Sequence, residues 1–160
     1  MEITLYPIGV VHSPFKVLSD MPIQPVGDYC ESGVVEIFSE FTEGLEDLNG
    51  FTHIILIYYF HKVEERVLTV VPFLDDRPRG IFSTRAPVRP NPIGLSVVRL
   101  VRRTRSTLEV DDLDILDGTP ILDIKPYVPE FDHRQGASIG WLEGARERAA
   151  QSRSDERFTR

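Results

Sequence analysis

The sequence predicts a mainly β protein, a small closed or nearly closed β-barrel with short helices and one C-terminal helix. Short apolar and β-branched runs recur along the 160 residues at spacings that turns limit, which is typical of strands. The chain holds 12 prolines and 11 glycines, many of which separate these runs. Because little of the chain shows a helical period, a barrel is favoured over a sandwich.

The first half of the chain contains the predicted central strand. Residues 2–11 alternate and then become apolar, and residues 33–38 form a second predicted strand. Residues 42–48 suggest a short helix before the turn pair Asn49-Gly50. Residues 51–59 are nearly uninterrupted β-branched and aromatic sequence, so we expect this strand to be the most buried.

The second half continues with short strands and ends with a helix. We expect strands at residues 67–73, at 95–101 and 107–110 as a hairpin, at 111–117 with one wet face, and at 121–127. Residues 141–151 form an amphipathic pattern, and 152–160 resemble a frayed tail. The predicted domains are therefore a barrel at 1–137 and a C-terminal helix and tail at 138–160.

Composition limits the class of protein. With 41% hydrophobic and 27% charged residues, the chain is long enough for one core and too short for two comfortable domains. The single cysteine, Cys30, excludes an internal disulfide and a thiolate metal cluster, and we expect it to be inert. The apolar run 54–60 is too short to span a bilayer, and no secretion signal opens the chain. These features predict a cytoplasmic protein with no metal and no membrane role.

Positive charge is concentrated in one segment. The net charge is −7, yet residues 77–105 carry eight arginines and no acid, so this segment has a formal charge of +8 and the remainder −15. Such a chain repels polyanions everywhere except at one face, which would orient a nucleic acid as well as attract it. The alternative is that the arginines at 99, 102, 103 and 105 form an exposed strand end and turn.

The stretch at residues 80–100 is the most distinctive in the chain. Its prolines fix φ and remove backbone donors, so a rigid loop is predicted between two strands. Arginine and asparagine side chains held on such a loop are pre-organised to bind an anion or a planar polar group. Gly94 is expected to supply backbone latitude where the next strand begins. The alternative is a proline-rich surface turn with solvated arginines. The residues concerned are Arg85, Pro87, Arg89, Pro90, Asn91 and Pro92.

Common catalytic and cofactor motifs are absent. No Gly-x-Gly-x-x-Gly follows the first strand, so neither a Rossmann site nor the common methyltransferase fold is indicated. There is also no Walker loop, no His-Glu-x-x-His and no Gly-x-Ser-x-Gly. Any nucleoside-type ligand would therefore be held by loops on a β scaffold.

The string Thr84-Arg85 followed by Arg89-Pro90-Asn91-Pro92-Ile93-Gly94-Leu95-Ser96 resembles the signature of the TsaA-like or TrmO family. Further matches occur in the expected order at residues 8–15, 22–25, 44–61, 116–120 and 123–127, so the resemblance covers about residues 5 to 135. It implies an S-adenosylmethionine-dependent methyltransferase that acts on N6 of threonylcarbamoyladenosine at position 37 of transfer RNA. The alternative is a barrel that binds S-adenosylmethionine or RNA without turnover.

The resemblance also implies which residues form the site, with Leu95 expected against the adenine. Methyl transfer from a sulfonium mainly needs positioning and exclusion of water, and His61 is the hypothesised general base. Arg85 or Arg89 is expected to pair with a carboxylate of the cofactor or of the threonyl group. The catalytic candidates are His61, Arg85 and Asn91. The cofactor-binding candidates are Pro22, Ile23, Gln24, His61, Lys62, Arg85, Arg89, Leu95, Asp117, Gly118, Thr119 and Pro120.

Two partners are predicted. We expect transfer RNA to bind through the Arg77 to Arg105 segment, where the charge favours phosphate. The resemblance implies paired subunits, and a small barrel has few walls of its own to enclose a cofactor, so a homodimer is predicted. Trp141, at the start of the C-terminal helix, is a candidate anchor of that interface.

Overall fold

In the computed structural model, six antiparallel strands close into a barrel, which confirms the predicted fold class. The structure describes residues 2–18, 21, 31–73 and 75–145. The barrel order is β1, β2, β7, β6, β3, β8, and a separate ribbon pairs β4 with β5. The strands are β1 Gly9–His12, β2 Glu31–Ile37, β3 His53–Tyr59, β4 Thr69–Val70, β5 Arg79–Gly80, β6 Ile93–Arg103, β7 Thr107–Leu113 and β8 Pro120–Pro126.

Strand β3 is central, as predicted, because β6 pairs with all of its residues and β8 with residues 54–58. Its side chains alternate, so that Ile54, Leu56 and Tyr58 point into the barrel and are almost fully buried. Removing one such aliphatic side chain from water stabilises the fold by about 1.5–3 kcal/mol. The interior is filled by the side chains of Val11, Val35, Ile37, Ile54, Leu56, Tyr58, Val98, Leu108, Val110, Leu113, Ile115 and Ile121.

Two predicted strands are much shorter than the sequence pattern indicated. Residues 2–8 form no strand, because Pro7 has no amide hydrogen for a sheet bond and pairing with β8 begins only at Gly9. Of residues 67–73, only Thr69–Val70 pair, with Arg79–Gly80. The apolar side chains of Ile3, Leu5 and Tyr6 are exposed, whereas Val67, Val70 and Phe73 pack against a small buried cluster.

The predicted separate strand at 111–117 is wrong. Strand β7 runs through Thr107–Leu113, and Asp112 adopts φ 61°, a left-handed conformation. The pairing with β2 shifts register at this point, as at a β-bulge, so the buried positions change from even to odd numbers. Asp114, the first residue after β7, nevertheless places its carboxyl against the inward-facing Ser96 instead of on the expected wet face.

The helical segments are short. A 3-10 helix at Ser39–Leu45 and a second at Leu48–Gly50 take the place of the helix expected at 42–48. Further 3-10 turns lie at Ile81–Ser83 and Gly140–Ala145, and α1 is Pro129–Asp132. The expected C-terminal helix thus begins as a 3-10 turn, while residues 146–160 lie outside the described residues. The domain division at residue 137 stays a prediction.

The two ends of the barrel differ in what they carry. At one end, here called the motif end, β1, β3 and β7 finish and β2, β6 and β8 begin. At the other, the hairpin end, β6 and β7 are joined by the turn at 104–106. Among the described helices, none has the length and apolarity needed to cross a membrane.

Candidate functional site

The motif end brings together most of the sequence-predicted site residues. The described segments there are 13–18, 60–68, 84–92 and 114–119, which connect the barrel strands at this end. The amide of Phe60 donates to the carbonyl of Pro92 over 2.8 Å, and the amide of Val67 donates to Val88 over 3.0 Å. The segment after β3 is therefore bound to the proline-rich loop. Pro22, Ile23, Gln24 and Cys30 lie outside the described residues.

A small cluster of buried apolar side chains holds the proline-rich loop against the rest of the protein. Ala86 and Val88 are buried in it, together with Val63 and Ile81, while the intervening loop residues face outward. The Arg89 side chain hydrogen-bonds within its own loop. Its Nη1 donates to the carbonyl of Thr84 over 2.9 Å and to that of Ala86 over 3.3 Å. The loop is thus held in one conformation before any ligand binds.

Arg85 projects from this supported loop as an exposed side chain. Within the part of the chain that the structure describes, its guanidinium has no hydrogen-bond or ion-pair partner. Its positive charge acts on two buried groups, since it lowers the pKa of Asp114 and of Tyr58 against larger opposing effects. Asn91 is also exposed, and its backbone carbonyl accepts from the amide of Ile93 over 2.8 Å. Both side chains are available to a ligand.

His61 and Lys62 form the turn directly after β3. Burial lowers the pKa of His61 from its usual range, and the neighbouring charge of Lys62 lowers it further. The imidazole is therefore neutral at pH 7, so it can accept a hydrogen bond but is a weaker base than a free histidine. Lys62 is exposed at the same turn.

The turn from Asp117 to Pro120 is bound to the end of β1. Asp117 accepts from the amide of Ser13 over 3.0 Å and forms an ion pair with Lys16 at 2.9 Å, and these contacts lower its pKa. The Asp117 carboxylate therefore already has hydrogen-bond and ion-pair partners within the protein. Gly118 adopts φ 75°, and no atom lies within 4 Å of where its Cβ would be. Thr119 is buried, so the open part of this turn is the backbone at Gly118.

Leu95 lies on the outer wall of the barrel rather than in its mouth. In β6 position 94 and the side chain of Ser96 face inward, so Leu95 and Ile93 point outward and are 48% and 37% exposed. The described residues of the same chain would cover only one face of an adenine stacked on Leu95. A second wall has to come from elsewhere.

Three residues that were not predicted form a buried polar chain at the mouth of the barrel. The hydroxyl of Ser96 donates to Asp114 Oδ1 over 2.5 Å, and Tyr58 Oη lies 3.1 Å from Ser96 Oγ. Burial raises the pKa of Asp114 and that of Tyr58. The sequence gives no signal for Asp114, because an acid between Leu113 and Ile115 is what an exposed strand face predicts.

The prediction of one basic face spanning Arg77 to Arg105 is wrong. Strand β6 separates the arginines of the proline-rich loop from those near the hairpin end by roughly 30 Å, at about 3.3 Å per residue. Four arginines of the segment are also neutralised by acids from outside it. These ion pairs are Arg79 with Asp75, Arg99 with Asp111, Arg102 with Glu109 and Arg103 with Glu46.

Trp141 packs on its own chain. Its indole Nε1 donates to the carbonyl of Ser83 over 2.8 Å, and the guanidinium of Arg79 lies 5.3 Å from the ring centre. The C-terminal 3-10 turn therefore covers the segment that precedes the proline-rich loop. The interface role expected for this ring stays a prediction.

Comparisons with known proteins agree with the family resemblance of the motifs. The family model described as the tRNA-methyltransferase O N-terminal domain matches residues 10–133. A probable S-adenosyl-L-methionine-binding protein of Pyrococcus abyssi is 55% identical over 152 residues, covering 95% of this chain and 83% of that protein. The tRNA (adenine(37)-N6)-methyltransferase of Mus musculus is 34% identical, covering 83% of this chain and 32% of that protein.

A solved structure has the same fold. The crystal structure of TrmO from Pseudomonas aeruginosa matches with a TM-score of 0.73 at 36% sequence identity. The match covers 88% of this chain and 63% of that one, so the chain spans just under two thirds of the length of the solved protein. The barrel and its motif end are therefore a shared architecture.

Proposed function

The chain belongs to the tRNA-methyltransferase O N-terminal domain family, and from this premise we propose that it methylates N6 of threonylcarbamoyladenosine at position 37 of transfer RNA, using S-adenosylmethionine. The observation that carries the proposal is the guanidinium of Arg85, which lacks a protein partner among the described residues and lies at the barrel end where the family motifs meet. An arginine held ready on a supported loop is suited to grip a carboxylate.

The groups at the motif end fit this cofactor chemically. S-adenosylmethionine combines a carboxylate, two cationic groups and an adenine, and when bound it supplies an electrophilic methyl group. Arg85 offers a partner for a carboxylate, the largely buried Asp114 offers negative charge, and Leu95 offers an apolar surface. The open backbone at Gly118 lets a ligand approach closely.

Each candidate residue receives a role in this proposal. Arg85 holds a carboxylate, Asn91 orients the target by its amide, and neutral His61 accepts a hydrogen bond beside it. Arg89 keeps the loop in shape through its bonds to Thr84 and Ala86. The remaining cofactor contacts are assigned to Pro22, Ile23, Gln24, Lys62, Leu95 and the turn Asp117, Gly118, Thr119 and Pro120.

Mass spectrometry of nucleosides provides the test of function. Purified protein, S-adenosylmethionine and tRNA that carries threonylcarbamoyladenosine should give a nucleoside heavier by one methyl group. tRNA lacking the modification is the matched control and should give none. Calorimetry with S-adenosylmethionine that shows binding, together with no methylated product on either tRNA, would favour the non-catalytic binding module.

Docking of tRNA is assigned to the arginines of the segment that lack acid partners among the described residues and lie toward the motif end. Arg77 is exposed, and its side chain has no partner in the described part of the chain, whereas the charge of Arg102 is already balanced by Glu109. The Arg77→Ala variant should therefore lower the log-log salt dependence of tRNA affinity by about 0.7–0.9 for one lost phosphate contact. Arg102→Ala should change it less, and a larger change for Arg102→Ala would contradict this assignment.

A homodimer completes the proposed site. The outward position of Leu95 and Ile93 leaves one face of a bound adenine without a wall from the described part of its own chain, and a second copy can provide that wall. Sedimentation velocity at micromolar concentration should give twice the 18.2 kDa of one chain. A monomer that still binds the cofactor tightly would rule out this arrangement.

A further inference from the structure

The buried polar chain at the motif end has a defined direction. Ser96 has a single hydroxyl proton, and it is donated to Asp114 Oδ1 at 2.5 Å. The contact between Tyr58 and Ser96 at 3.1 Å must therefore use the phenolic proton of Tyr58. Both donors point toward Asp114, so the chain stabilises a carboxylate there and leaves its second oxygen without a side-chain partner among the described residues.

The position of Asp114 is set by all the elements around it. Tyr58 comes from β3 and Ser96 from β6, and the charge of Arg85 on the proline-rich loop acts on the same carboxyl. Tyr58 and Arg85 are the ionisable groups that act on Asp114 from the described elements packed against it. Asp114 directly follows the end of β7, and its hydrogen bond with Ser96 holds its carboxyl at the mouth of the barrel. A partly exposed carboxylate is thus held where the charge of Arg85, the arginine assigned to ligand binding, acts on it.

Resting on the proposed methylation, we propose that Asp114 is the proton acceptor of the reaction and that Ser96 and Tyr58 position it. As the target nitrogen forms its bond to the methyl carbon, its N–H bond breaks and the proton moves to the free oxygen of Asp114. The electron pair of the cleaved carbon–sulfur bond stays with sulfur. The sulfonium loses its positive charge when the methyl group leaves. The methylated nitrogen stays neutral, because its proton is transferred to Asp114.

The structure favours Asp114 over His61 for this role. Burial raises the pKa of the Asp114 carboxyl and so makes the carboxylate a stronger base, whereas burial and Lys62 lower the pKa of the His61 imidazole. The same environment that strengthens one candidate therefore weakens the other. The hydrogen bond from Ser96 and, to a smaller degree, the charge of Arg85 oppose the rise in the pKa of Asp114 that burial causes.

The first test compares Asp114→Asn with His61→Asn in single-turnover methylation across pH. Loss of a general base typically costs 10²–10⁴-fold in rate, so Asp114→Asn should fall into that range and lose the acidic limb of the pH profile. His61→Asn should keep the limb. The proposal would be overturned if Asp114→Asn methylated at the wild-type rate and if the acidic limb of the pH profile were lost in His61→Asn instead. An inactive wild type would instead show that the proposed function is wrong, and the role of Asp114 with it.

A second variant distinguishes proton transfer from a purely structural role. Ser96→Ala removes the hydrogen bond that favours ionised Asp114, so the acidic limb should move to higher pH while cofactor affinity by calorimetry changes less than about threefold. An unmoved limb would contradict the positioning role of Ser96. This variant also remains informative if Asp114→Asn fails to fold.

A measurement on the protein without ligands is independent of turnover. Because the pKa of Asp114 is raised in the folded state, its contribution to stability is present below the pKa of an unfolded aspartate and is lost as pH rises through the folded pKa. The Asp114→Asn variant has no titrating group at this position, so it lacks this pH-dependent contribution. The difference in unfolding free energy, variant minus wild type, should therefore grow across that pH range and then level off. A flat difference would mean that Asp114 is not perturbed and would overturn the proposal.

Discussion

Replacing Arg85 with alanine is expected to reduce methylation of tRNA by roughly a hundredfold while the protein remains folded. A hydrogen bond to a charged group contributes about 1.5–3 kcal/mol, which corresponds to about ten- to a hundredfold or slightly more in rate or affinity. No hydrogen bond within the described protein depends on the Arg85 side chain, so truncation leaves no protein acceptor unsatisfied. Nucleoside mass spectrometry under single-turnover conditions measures the effect.

Two further variants make this result specific. Arg85→Lys keeps the charge but loses the planar two-pronged donor, so it should recover only part of the activity. Arg134→Ala removes another exposed arginine, whose side chain among the described residues hydrogen-bonds only to the carbonyl of His133, and it should leave the rate unchanged. Equal losses of tRNA affinity in Arg85→Ala and Arg77→Ala, with full activity of the bound complexes, would remove Arg85 from the site.

The barrel could be predicted because strand alternation is a local property. Residues 51–59 indicated a buried strand, and β3 occupies most of that range with the expected central position. The bulge in β7 could not be predicted, since it depends on the left-handed conformation of Asp112 opposite β2. One inserted residue reverses which side chains of a strand point inward. It does not account for Asp114, which follows the end of β7 and contacts Ser96 instead of lying on the expected wet face.

The charge prediction failed for a related reason. Counting arginines along the sequence gives the charge of a segment but not the acids that pair with it from other strands. Glu109 and Asp111 in β7 face β6, so they neutralise Arg102 and Arg99 although the segment itself contains no acid. The loops that carry the family motifs lie at one end because β-barrel topology gathers alternate loops there; that they form the site stays a prediction.

The polar chain at Asp114 lay outside what motifs could predict. Ser96 belongs to the signature string, but its partner in the structure is 18 residues further along, beyond the hairpin. Tyr58 reaches Ser96 from a third strand, 38 residues before it. Contacts of this separation depend on register, which single-sequence reasoning does not supply.

Gly94 is needed for space rather than for backbone latitude, which corrects the sequence-based expectation. It is not among the glycines with positive φ in the described chain. A Cβ there would lie 2.2 Å from Cε2 of Tyr58 and 2.9 Å from Cζ of Phe60, far inside contact distance. The Tyr58 ring packs edge-on against Phe60 at 5.4 Å and is held by Ser96, so it cannot move away without losing those contacts.

Gly94→Ala should therefore destabilise the protein by about 2–4 kcal/mol, the sum of overpacking and of a weakened buried hydrogen bond. Urea denaturation followed by circular dichroism measures the change. Gly44→Ala is the matched control, because no atom lies within 4 Å of its Cβ position and its φ is not positive; it should be neutral or stabilising by up to about 1 kcal/mol.

A double-mutant cycle assigns the cost of Gly94→Ala to the Tyr58 ring. In a Tyr58→Leu background the ring atoms that a Cβ would meet at 2.2 and 2.4 Å are gone, so adding Gly94→Ala should cost at least about 1 kcal/mol less than it does in the wild type. Leucine keeps the site apolar and fills part of the ring volume. An equal cost in both backgrounds would show that the barrel backbone, and not the Tyr58 that supports Ser96 and Asp114, excludes a side chain at position 94.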